Sequence, residues 1–527
     1  GAASTTSVQS AVAGGAQASS LDFTDTVHSA TMKYSVTIGG VTFTTTGETS
    51  KANALTTLAG KINNATTGST FATALVSGNA LNLTGETDGV SFLVSGAAAD
   101  TALGTPTNPK VFEGNKIVIV PDRSEGSYGM KVTGSLTVVN LPTNAGETIN
   151  LIAGDGNAFV GDLVVVSPLN VGTTGTVILG ADGGITLGGK VTAGTLEVSS
   201  GKNLTITSEV GTMQVTMTGN GDLTVFQTGA LTVSSITLPS GTSFTGRNIN
   251  LVADGDINIG SISGYAGDIT ITSRTGSISI TSLNGAGAVT LSALGGAVSL
   301  GDATHTIEAD TLDIVAKDGI SIYEADSVTI ERIDSVDDDA IFVQAGGELT
   351  LNGAIKASGT SSVSLTTTSG AINLNQGITT ATGNVTVHAA AGMLFSEQGD
   401  IVSVGGNIDL DAGTGAMTMT GETFVDAGSG TLDLDAGGAI TLGKLRTTNT
   451  GDVTITSGGV VDGGEGSSDI IAKNARLLIV ASGGIGSASN AIETEVARLS
   501  LTNNGNGDIA LEDVDGLIID KIDQNAG

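Results

Sequence analysis

Short runs of alternating apolar and polar residues, each introduced by a glycine, repeat along most of this chain. The clearest window reads Gly267-Asp-Ile-Thr-Ile, Gly276-Ser-Ile-Ser-Ile, Gly287-Ala-Val-Thr-Leu and Gly296-Ala-Val-Ser-Leu. Gly267 and Gly287 are 20 residues apart, and so are Gly276 and Gly296. Two interleaved series of strands therefore share one period. In each unit, two apolar side chains point to one face of the strand and polar side chains to the other.

The same arrangement continues toward the C-terminus with a slightly longer period. Gly383, Gly406, Gly430 and Gly451 each begin a unit of the form Gly-x-apolar-x-apolar, at spacings of 23, 24 and 21 residues. A second glycine series lies between them, at positions 370, 392, 415, 438 and 459. Self-similarity at 20 to 24 residues is typical of a solenoid with one coil per period. The pattern predicts an all-β fold, a right-handed parallel β-helix.

Other repeat architectures fit this pattern less well. A leucine-rich repeat has a similar coil length, but its Leu-x-x-Leu-x-Leu signature with asparagine is missing, and a propeller blade needs about 40 residues. Roughly 400 residues at ~22 per coil predict ~18 coils. At a strand spacing of ~4.8 Å, these coils predict a rod ~85 Å long.

The pattern divides the chain into four segments. Residues 1–30, rich in Ala, Ser, Thr and Gly, are interpreted as an arm that is flexible or becomes ordered against a neighbour. Residues 31–96 are interpreted as a small module, residues 97–150 as a transition and solenoid cap, and residues 151–527 as the parallel β-solenoid. Because the ends of a solenoid expose unpaired strand edges, assembly is expected there.

The small module has the order ββαββ and hence a mixed α+β character. Residues 34–43 alternate as two strands around the hairpin signal Gly39-Gly40. Ser50 is placed to cap a helix whose apolar residues recur at helical spacing. Residues 80–84 and 91–94 are expected to form two further strands.

The composition excludes several protein classes. Glycine supplies 79 of the 527 residues, proline only 6, and charged residues 14%. Disordered chains are usually poor in hydrophobic residues, whereas 39% of this chain is hydrophobic. Glycine without proline and without a three-residue period also excludes collagen. Because the chain has no cysteine, disulfides and thiolate metal sites are excluded as well.

The charge balance narrows the choice of partners. The chain has 20 basic and 52 acidic residues, which gives a formal net charge of -32. Such a polyanion is repelled by nucleic acid and by an anionic membrane surface. The acidic residues either keep an edge-rich β-protein soluble or bind calcium outside the cell. No apolar run is long enough for a transmembrane helix. The first residues lack the features of a signal peptide, so we expect that a leader has been removed or that the sequence is a piece of a larger chain.

Two acidic clusters are candidate calcium sites, because hard cations prefer several carboxylate and carbonyl oxygens. The denser cluster contains Asp334, Asp337, Asp338 and Asp339. The second lies near the C-terminus and contains Glu512, Asp513 and Asp515. Neither has the spacing of an EF-hand, and a solvated loop is the alternative interpretation of the first cluster. Calcium at the second cluster would join one subunit to the next.

An enzymatic function is disfavoured, although parallel β-helices also include polysaccharide lyases and hydrolases. Such enzymes hold a group of acidic or basic residues together on one exposed face. The histidines are far apart in the sequence and have no companions for a catalytic triad; they are His28, His305 and His388. The glycine-rich strings do not form a phosphate-binding loop. The sequence predicts neither catalytic residues nor a cofactor other than calcium.

Two resemblances to known families add to this picture. The module contains the strings TIGGVTFTTTG, ALTTLAGKIN and NLTGETDGVSFLVSG, and it resembles the small insertion domains of flagellins and other large secreted bacterial proteins. That resemblance covers about an eighth of the chain. It implies an extracellular spacer or packing module.

The repeat region resembles filamentous-haemagglutinin-type proteins and other giant β-strand-repeat surface proteins of bacteria. The strings that carry the resemblance include GDITITSRTGSISITSLNGAGAVTLSALGGAVSL and ITLGKLRTTNTGDVTITSGGVVDGG. It spans roughly residues 150 to 520 and implies an extracellular or cell-surface location. The secretion-domain motif of the two-partner type is not recognised in the sequence.

These observations leave two non-enzymatic functions open. In the first, the chain is a subunit of an extracellular filament or surface fibre, assembling end to end with copies of itself and inserting its N-terminal arm into a neighbour. In the second, it is the rod of an adhesin that binds carbohydrate or cell surfaces. The insertions between repeats are short and offer little material for a binding tip, which favours the filament.

Overall fold

The computed structural model describes residues 5–6, 18–23, 32–38, 41–65, 72–85, 94–100, 110–112, 115–119, 128–154, 160–240, 247–464 and 467–525. The fold is almost entirely β, with small antiparallel sheets near the N-terminus and a parallel β-solenoid of about 18 turns. The solenoid predicted from the glycine period is therefore confirmed. The chain divides into two compact units, residues 1–239 with 243–247 and residues 240–242 with 248–527.

Within its described residues, the N-terminal module contains seven strands and one helix. They are β1 (Thr5–Thr6), β2 (Ala18–Asp22), β3 (Met32–Ile38), β4 (Val41–Thr45), α1 (Lys51–Asn63), β5 (Ala72–Ser77), β6 (Ala80–Gly85) and β7 (Val94–Asp100). One antiparallel sheet has the strand order β4-β3-β7, and the other has the order β1-β2-β6-β5. Among the described residues, no helix combines the length and apolar character needed to cross a membrane.

Helix α1 joins the module through its apolar face. Ser50 caps the helix as expected, since its hydroxyl accepts a hydrogen bond of 3.1 Å from the Asn53 amide. Leu55 and Leu58 are fully buried in the core of the module. The same core contains Tyr34 and Phe23, whose rings meet edge to face with centroids 5.8 Å apart.

The strands of the module differ in part from the predicted order. The hairpin of β3 and β4 is observed, while its turn, Gly39-Gly40, lies outside the described residues. Strand β5 was missed. Of the strand expected at 91–94, residues 91–93 lie outside the described residues, and Val94 is the first residue of β7. Strand β2 belongs to the segment interpreted as an arm, yet it pairs with β6 of its own chain.

In the part of the first unit that the structure describes, twelve solenoid strands follow the module. They are β8 (Lys110–Phe112), β9 (Lys116–Ile119), β10 (Tyr128–Val132), β11 (Leu136–Asn140), β12 (Thr148–Ala153), β13 (Leu163–Val165), β14 (Leu169–Ala181), β15 (Ile185–Leu187), β16 (Val191–Ser200), β17 (Leu204–Met217), β18 (Leu223–Gln227) and β19 (Leu231–Thr237). Their pairing is parallel, from one coil to the next.

The second unit contains the remaining solenoid strands. They are β20 (Ile249–Ala253), β21 (Ile257–Ser263), β22 (Ile269–Ser273), β23 (Ile278–Ala293), β24 (Val298–Leu300), β25 (Ile307–Ala316), β26 (Ile320–Glu324), β27 (Val328–Ser335), β28 (Ile341–Ala345), β29 (Leu349–Leu351), β30 (Ile355–Ala357), β31 (Val363–Thr367), β32 (Ile372–Leu374), β33 (Ile378–Thr380), β34 (Val385–His388), β35 (Met393–Phe395), β36 (Ile401–Ser403), β37 (Ile408–Asp411), β38 (Met417–Thr418), β39 (Phe424–Asp426), β40 (Leu432–Asp435), β41 (Ala439–Leu442), β42 (Lys444–Arg446), β43 (Val453–Ser457), β44 (Gly459–Asp462), β45 (Ile470–Ala481), β46 (Ile492–Asn503), β47 (Leu511–Asp513) and β48 (Ile518–Gln524).

Each coil of the C-terminal half contains three strands, where the glycine pattern predicts two. The predicted series are present as β31, β34, β37, β40 and β43 and as β32, β35, β38, β41 and β44. The third series consists of β30, β33, β36, β39 and β42. Its strands are three residues long and do not begin at a glycine, so they carry too short an alternation to be recognised.

The core of the solenoid is a stack of aliphatic side chains. Register pairing places Ile249, Ile269, Val289 and Leu312 one above another in successive coils. All four are at most 1% exposed. Burial of a side chain of this size contributes about 1.5–3 kcal/mol. Every coil repeats these contacts with its neighbours. The alternation of apolar and polar residues along each strand therefore determines which side chains fill the core.

Buried hydroxyl groups close the corners between strands. The Ser403 hydroxyl donates to the Gly383 carbonyl (3.1 Å) and accepts from the Gly406 amide (2.8 Å). Thr380 makes a similar bond, 2.9 Å long, to the Gly383 carbonyl, three residues further along its own chain. These side chains are at most 1% exposed. These bonds satisfy backbone amides and carbonyls at the buried turns, where the chain no longer forms the regular hydrogen bonds between strands.

The regular glycines are required by the stacking of these corners. A Cβ atom at Gly406 would lie 1.9 Å from the Gly383 carbonyl oxygen. A Cβ atom at Gly430 would lie 2.0 Å from the carbonyl oxygen of Gly406. The period seen in the sequence is therefore a steric requirement of one coil against the next.

Candidate cation site, cleft and assembly edge

Three carboxylates from consecutive parts of the solenoid meet in the second unit. Asp462 ends β44, Asp469 directly precedes β45, and Glu493 is the second residue of β46. Each residue contributes one carboxylate oxygen, and these three oxygens all lie within 4.8 Å of one another. Asp462 is 6% exposed and Asp469 is completely buried, while Glu493 is partly buried. Among the described residues, no other group of three acidic, histidine or cysteine side chains meets this distance.

Backbone bonds hold this group in place. The Glu493 amide donates to Oδ2 of Asp469, and the Asp469 amide donates to the Glu493 carbonyl, both at 2.9 Å. Oδ1 of Asp462 accepts a 2.7 Å bond from the Gly464 amide, which forms an Asx-type turn. The Asn490 side chain donates to the Asp462 carbonyl at 3.3 Å. The carboxylates are thus positioned by the ladder and by the corner after β44.

The first predicted calcium cluster has a different arrangement. Asp334 lies within β27, whereas Asp337, Asp338 and Asp339 form the exposed corner that follows it. Asp337 forms an ion pair of 3.5 Å with Lys317, and Oδ1 of Asp338 accepts a bond from the Thr360 amide. These aspartates are not among the closely grouped carboxylates of the described chain. Calcium binding by this corner stays a prediction.

The second predicted cluster lies on and after β47. Asp513 accepts hydrogen bonds from the Thr494 hydroxyl (3.0 Å) and from the Gly516 amide (2.7 Å). Asp515 lies 4.0 Å from the Lys473 amine. Glu512 is exposed and is the register partner of Glu493 in the preceding coil. The sequence therefore identified a neighbour of the three-carboxylate group, and calcium at Glu512, Asp513 and Asp515 stays a prediction.

Sequence reasoning missed the three grouped carboxylates, although a signal for one of them exists. In β44 the buried Val460 and Asp462 are two residues apart, so alternation places both on the inner side. Glu493 directly follows the buried Ile492, so alternation gives no inward signal for it. Asp469 lies outside its strand, and only the stacking of the coils brings it against Glu493.

A cleft of about 380 Å³ opens on the second unit. Tyr265, Asn284, Glu308, Asp310 and Asp326 are among its lining residues. The Tyr265 hydroxyl donates to Oδ2 of Asp310 at 3.4 Å. The negative charge of Asp310 raises the pKa of this tyrosine. An aromatic face beside carboxylates and an amide provides a stacking surface and hydrogen-bond partners for a polar ring such as a sugar.

A buried glutamate lies beneath one wall of this cleft. Glu324, at the end of β26, is 2% exposed. Its Oε1 accepts bonds of 3.2 Å from the amides of Ala309 and Ala325. Oε2 is buried and has no hydrogen-bond partner among the described residues. Burial raises the pKa of Glu324 to about 9, and the charge of nearby Asp326 adds to the rise, so this side chain is protonated at neutral pH.

The last strand, β48, has an exposed edge. It pairs in parallel with β46, and no pairing on its other side is seen within the described part of the chain. Ile518, Ile519 and Ile522 are 64%, 59% and 49% exposed. The bidentate ion pair of Arg498 with Asp520, at 2.6 and 2.9 Å, fixes this strand to the preceding coil.

The histidines take part in exposed contacts rather than in a triad. His305 contacts Asp302 at 3.2 Å, and His388 contacts Asp409 of the next coil at 3.4 Å. All four side chains are about half exposed. His28 lies outside the described residues.

Comparisons with protein-family models, with curated proteins and with solved structures found no match. The function of this chain is therefore inferred from its own residues and their geometry.

Proposed function

We propose that this chain is a non-enzymatic structural subunit of an extracellular bacterial filament or surface fibre, and that it assembles end to end with copies of itself. The observation that carries the proposal is the exposed edge of β48 with its three isoleucines. An unpaired edge beside exposed apolar side chains favours the addition of another strand. We assign that strand to a second copy of the chain.

A filament needs contacts between two different surfaces, because only a head-to-tail contact propagates. Strand β5 offers the second surface, since it is at the edge of its sheet and its Leu75 is 71% exposed. The predicted alternative, insertion of the N-terminal arm, is less favoured because β2 of that arm already pairs with β6 of its own chain. We therefore propose that β48 of one copy meets β5 of the next.

Charge and resemblance are consistent with this proposal. A formal net charge of -32 favours solubility before assembly. The resemblance of the repeats to filamentous-haemagglutinin-type surface proteins favours the same setting. Mutual repulsion of the acidic copies predicts that assembly is faster at physiological salt than at low salt.

Cross-linking between engineered cysteines tests this contact, since the chain has none of its own. The variant with both Leu75→Cys and Ile519→Cys is expected to form a ladder of disulfide-linked oligomers under mild oxidation. A mixture of the two single variants is expected to stop at dimers. The matched control replaces Ile519→Cys by Val404→Cys, at a corner residue that is 67% exposed. A ladder no stronger than in this control would contradict the proposal.

A second function is favoured by one observation, the cleft beside Tyr265. Its aromatic ring, amide and carboxylates suit a carbohydrate, as expected for an adhesin spacer that contacts surface glycans. Single particles that never cross-link but retain glycans would support this function instead.

A further inference from the structure

The carboxylates of Asp462, Asp469 and Glu493 form an unusual group for a protein interior. Their oxygens lie within 4.8 Å of one another, and two of the three side chains are more than nine-tenths buried. Like charges at such a distance repel strongly where water is excluded. Buried charges in native proteins are paired or coordinate metals. Retained protons or a bound cation must therefore offset the charge of this group.

A second observation points to a ligand at this place. Oε2 of Glu493 is buried and accepts no hydrogen bond from the described residues. Within the same part of the chain, neither Asp462 nor Glu493 has a lysine or arginine within 4.0 Å. An orphaned carboxylate oxygen beside two buried carboxylates is the arrangement that a bound cation would complete.

We propose that Asp462, Asp469 and Glu493 bind one divalent cation, and that Ca²⁺ is the ion that fits best. All three ligand groups are carboxylates, which select hard cations over zinc or copper. Ca²⁺ accepts six to eight oxygens in flexible geometry, so waters complete the shell, whereas Mg²⁺ requires a nearly ideal octahedron. This cation links the end of β44 and the residue before β45 to the start of β46, which lies one coil further along. The site does not depend on self-assembly.

Calorimetric titration of the full chain tests the site. Protein freed of metal with EDTA is titrated with CaCl₂ at ~0.15 M NaCl, where non-specific attraction to the acidic surface is screened. The variants Asp469→Asn and Glu493→Gln keep the shape of the side chain and remove one charge. Each is expected to bind one Ca²⁺ fewer per chain than the unaltered protein. The control Asp254→Asn, at an exposed aspartate outside the predicted calcium clusters and paired with Arg274, is expected to lose none.

Thermal unfolding gives an independent measurement that separates the site from a folding defect. Saturating Ca²⁺ is expected to raise the Tm of the unaltered protein by about 3 °C and to leave the two variants unchanged. In EDTA, both variants are expected to melt no lower than the unaltered protein, because each removes a repelling charge. Equal Ca²⁺ stoichiometry in the unaltered protein and both variants would overturn the proposal. So would the absence of binding at millimolar Ca²⁺, or a larger response to MgCl₂ than to CaCl₂.

Discussion

Two corners of the solenoid, one in each unit, each bury one long polar side chain at the end of a five-residue strand. Gln227 ends the five-residue strand β18, and Glu324 ends the five-residue strand β26. Each is the register partner of a residue in the preceding coil, Ser208 for Gln227 and Ile307 for Glu324. Both side chains point inward and are 5% and 2% exposed.

Both the oxygen and the nitrogen of the Gln227 side-chain amide are hydrogen-bonded at its corner, whereas only one oxygen of the Glu324 carboxyl group is. Oε1 of Gln227 accepts bonds from the Ser208 hydroxyl (2.7 Å) and the Val210 amide (3.3 Å). Its Nε2 donates to the carbonyls of Val210 (2.8 Å) and Ala230 (2.9 Å). Oε1 of Glu324 accepts from the equivalent amide, that of Ala309, but its Oε2 has no partner among the described residues.

This difference shows how the solenoid tolerates a buried acid. The corner offers both an amide and a carbonyl, so a side chain that can donate and accept fits it. A carboxylate can only accept, and burial raises the pKa of Glu324 to about 9, so this side chain retains its proton at neutral pH. By our proposal, the group of Asp462, Asp469 and Glu493 meets the same problem with a cation.

The largest expected effect on stability comes from replacing Glu324 by glutamine, the residue type found at the other corner. The free-chain pKa of Glu324 is 4.5 and its folded pKa is about 9, so above pH 4.5 the unfolded chain releases a proton that the folded chain retains. Stability is therefore highest below pH 4.5 and falls as the pH rises toward 9. Glu324→Gln removes this loss and is expected to raise the free energy of unfolding by roughly 3 kcal/mol at pH 7.

Guanidinium unfolding and hydrogen exchange of residues 307–325 at pH 4 and pH 7 check this expectation. The gain should nearly vanish at pH 4, where both side chains are neutral. A gain of equal size at both pH values would mean that shape, rather than ionisation, distinguishes the two corners.

The reciprocal change, Gln227→Glu, is expected to act in the opposite direction and more weakly. It should lower the free energy of unfolding at pH 7 by about 2 kcal/mol, because one oxygen then lacks a donor. The effect is smaller because Gly229 occupies the place that corresponds to Asp326, so no second acid raises the pKa further. Unfolding measured from pH 4 to pH 8 should show a new pH dependence, whose absence would contradict the comparison.

The smallest effect is expected at an exposed carboxylate. Asp254 forms an ion pair of 2.7 Å with Arg274, and the two side chains are 47% and 60% exposed. Asp254→Asn is expected to change the free energy of unfolding by no more than about 0.5 kcal/mol, since solvent screens such pairs. The same unfolding measurements apply. A change as large as that for Glu324→Gln would show that charge, and not burial, causes the difference between the corners.

The sequence predicted much of the solenoid because its signals are local. The alternation in β22, Ile269–Ser273, and the glycines at 383, 406 and 430 are visible in any short window. The third strand series was missed because strands such as β30, Ile355–Ala357, are too short to show an alternation. The predicted calcium ligands were chosen by density along the chain, whereas the group of three carboxylates found among the described residues consists of Asp462, Asp469 and Glu493.

The sequence by itself determined the coil: its period, its inward aliphatic side chains and its glycine corners. These properties follow from strand alternation and from the clash of any Cβ with the carbonyl of the preceding coil. Only the tertiary structure decided which polar groups meet inside. Asp469 and Glu493 are 24 residues apart in the sequence, yet their backbones are hydrogen-bonded to each other. Coil length varies from turn to turn, so this register is set by the stacking of the whole solenoid, and with it the position of every buried charge.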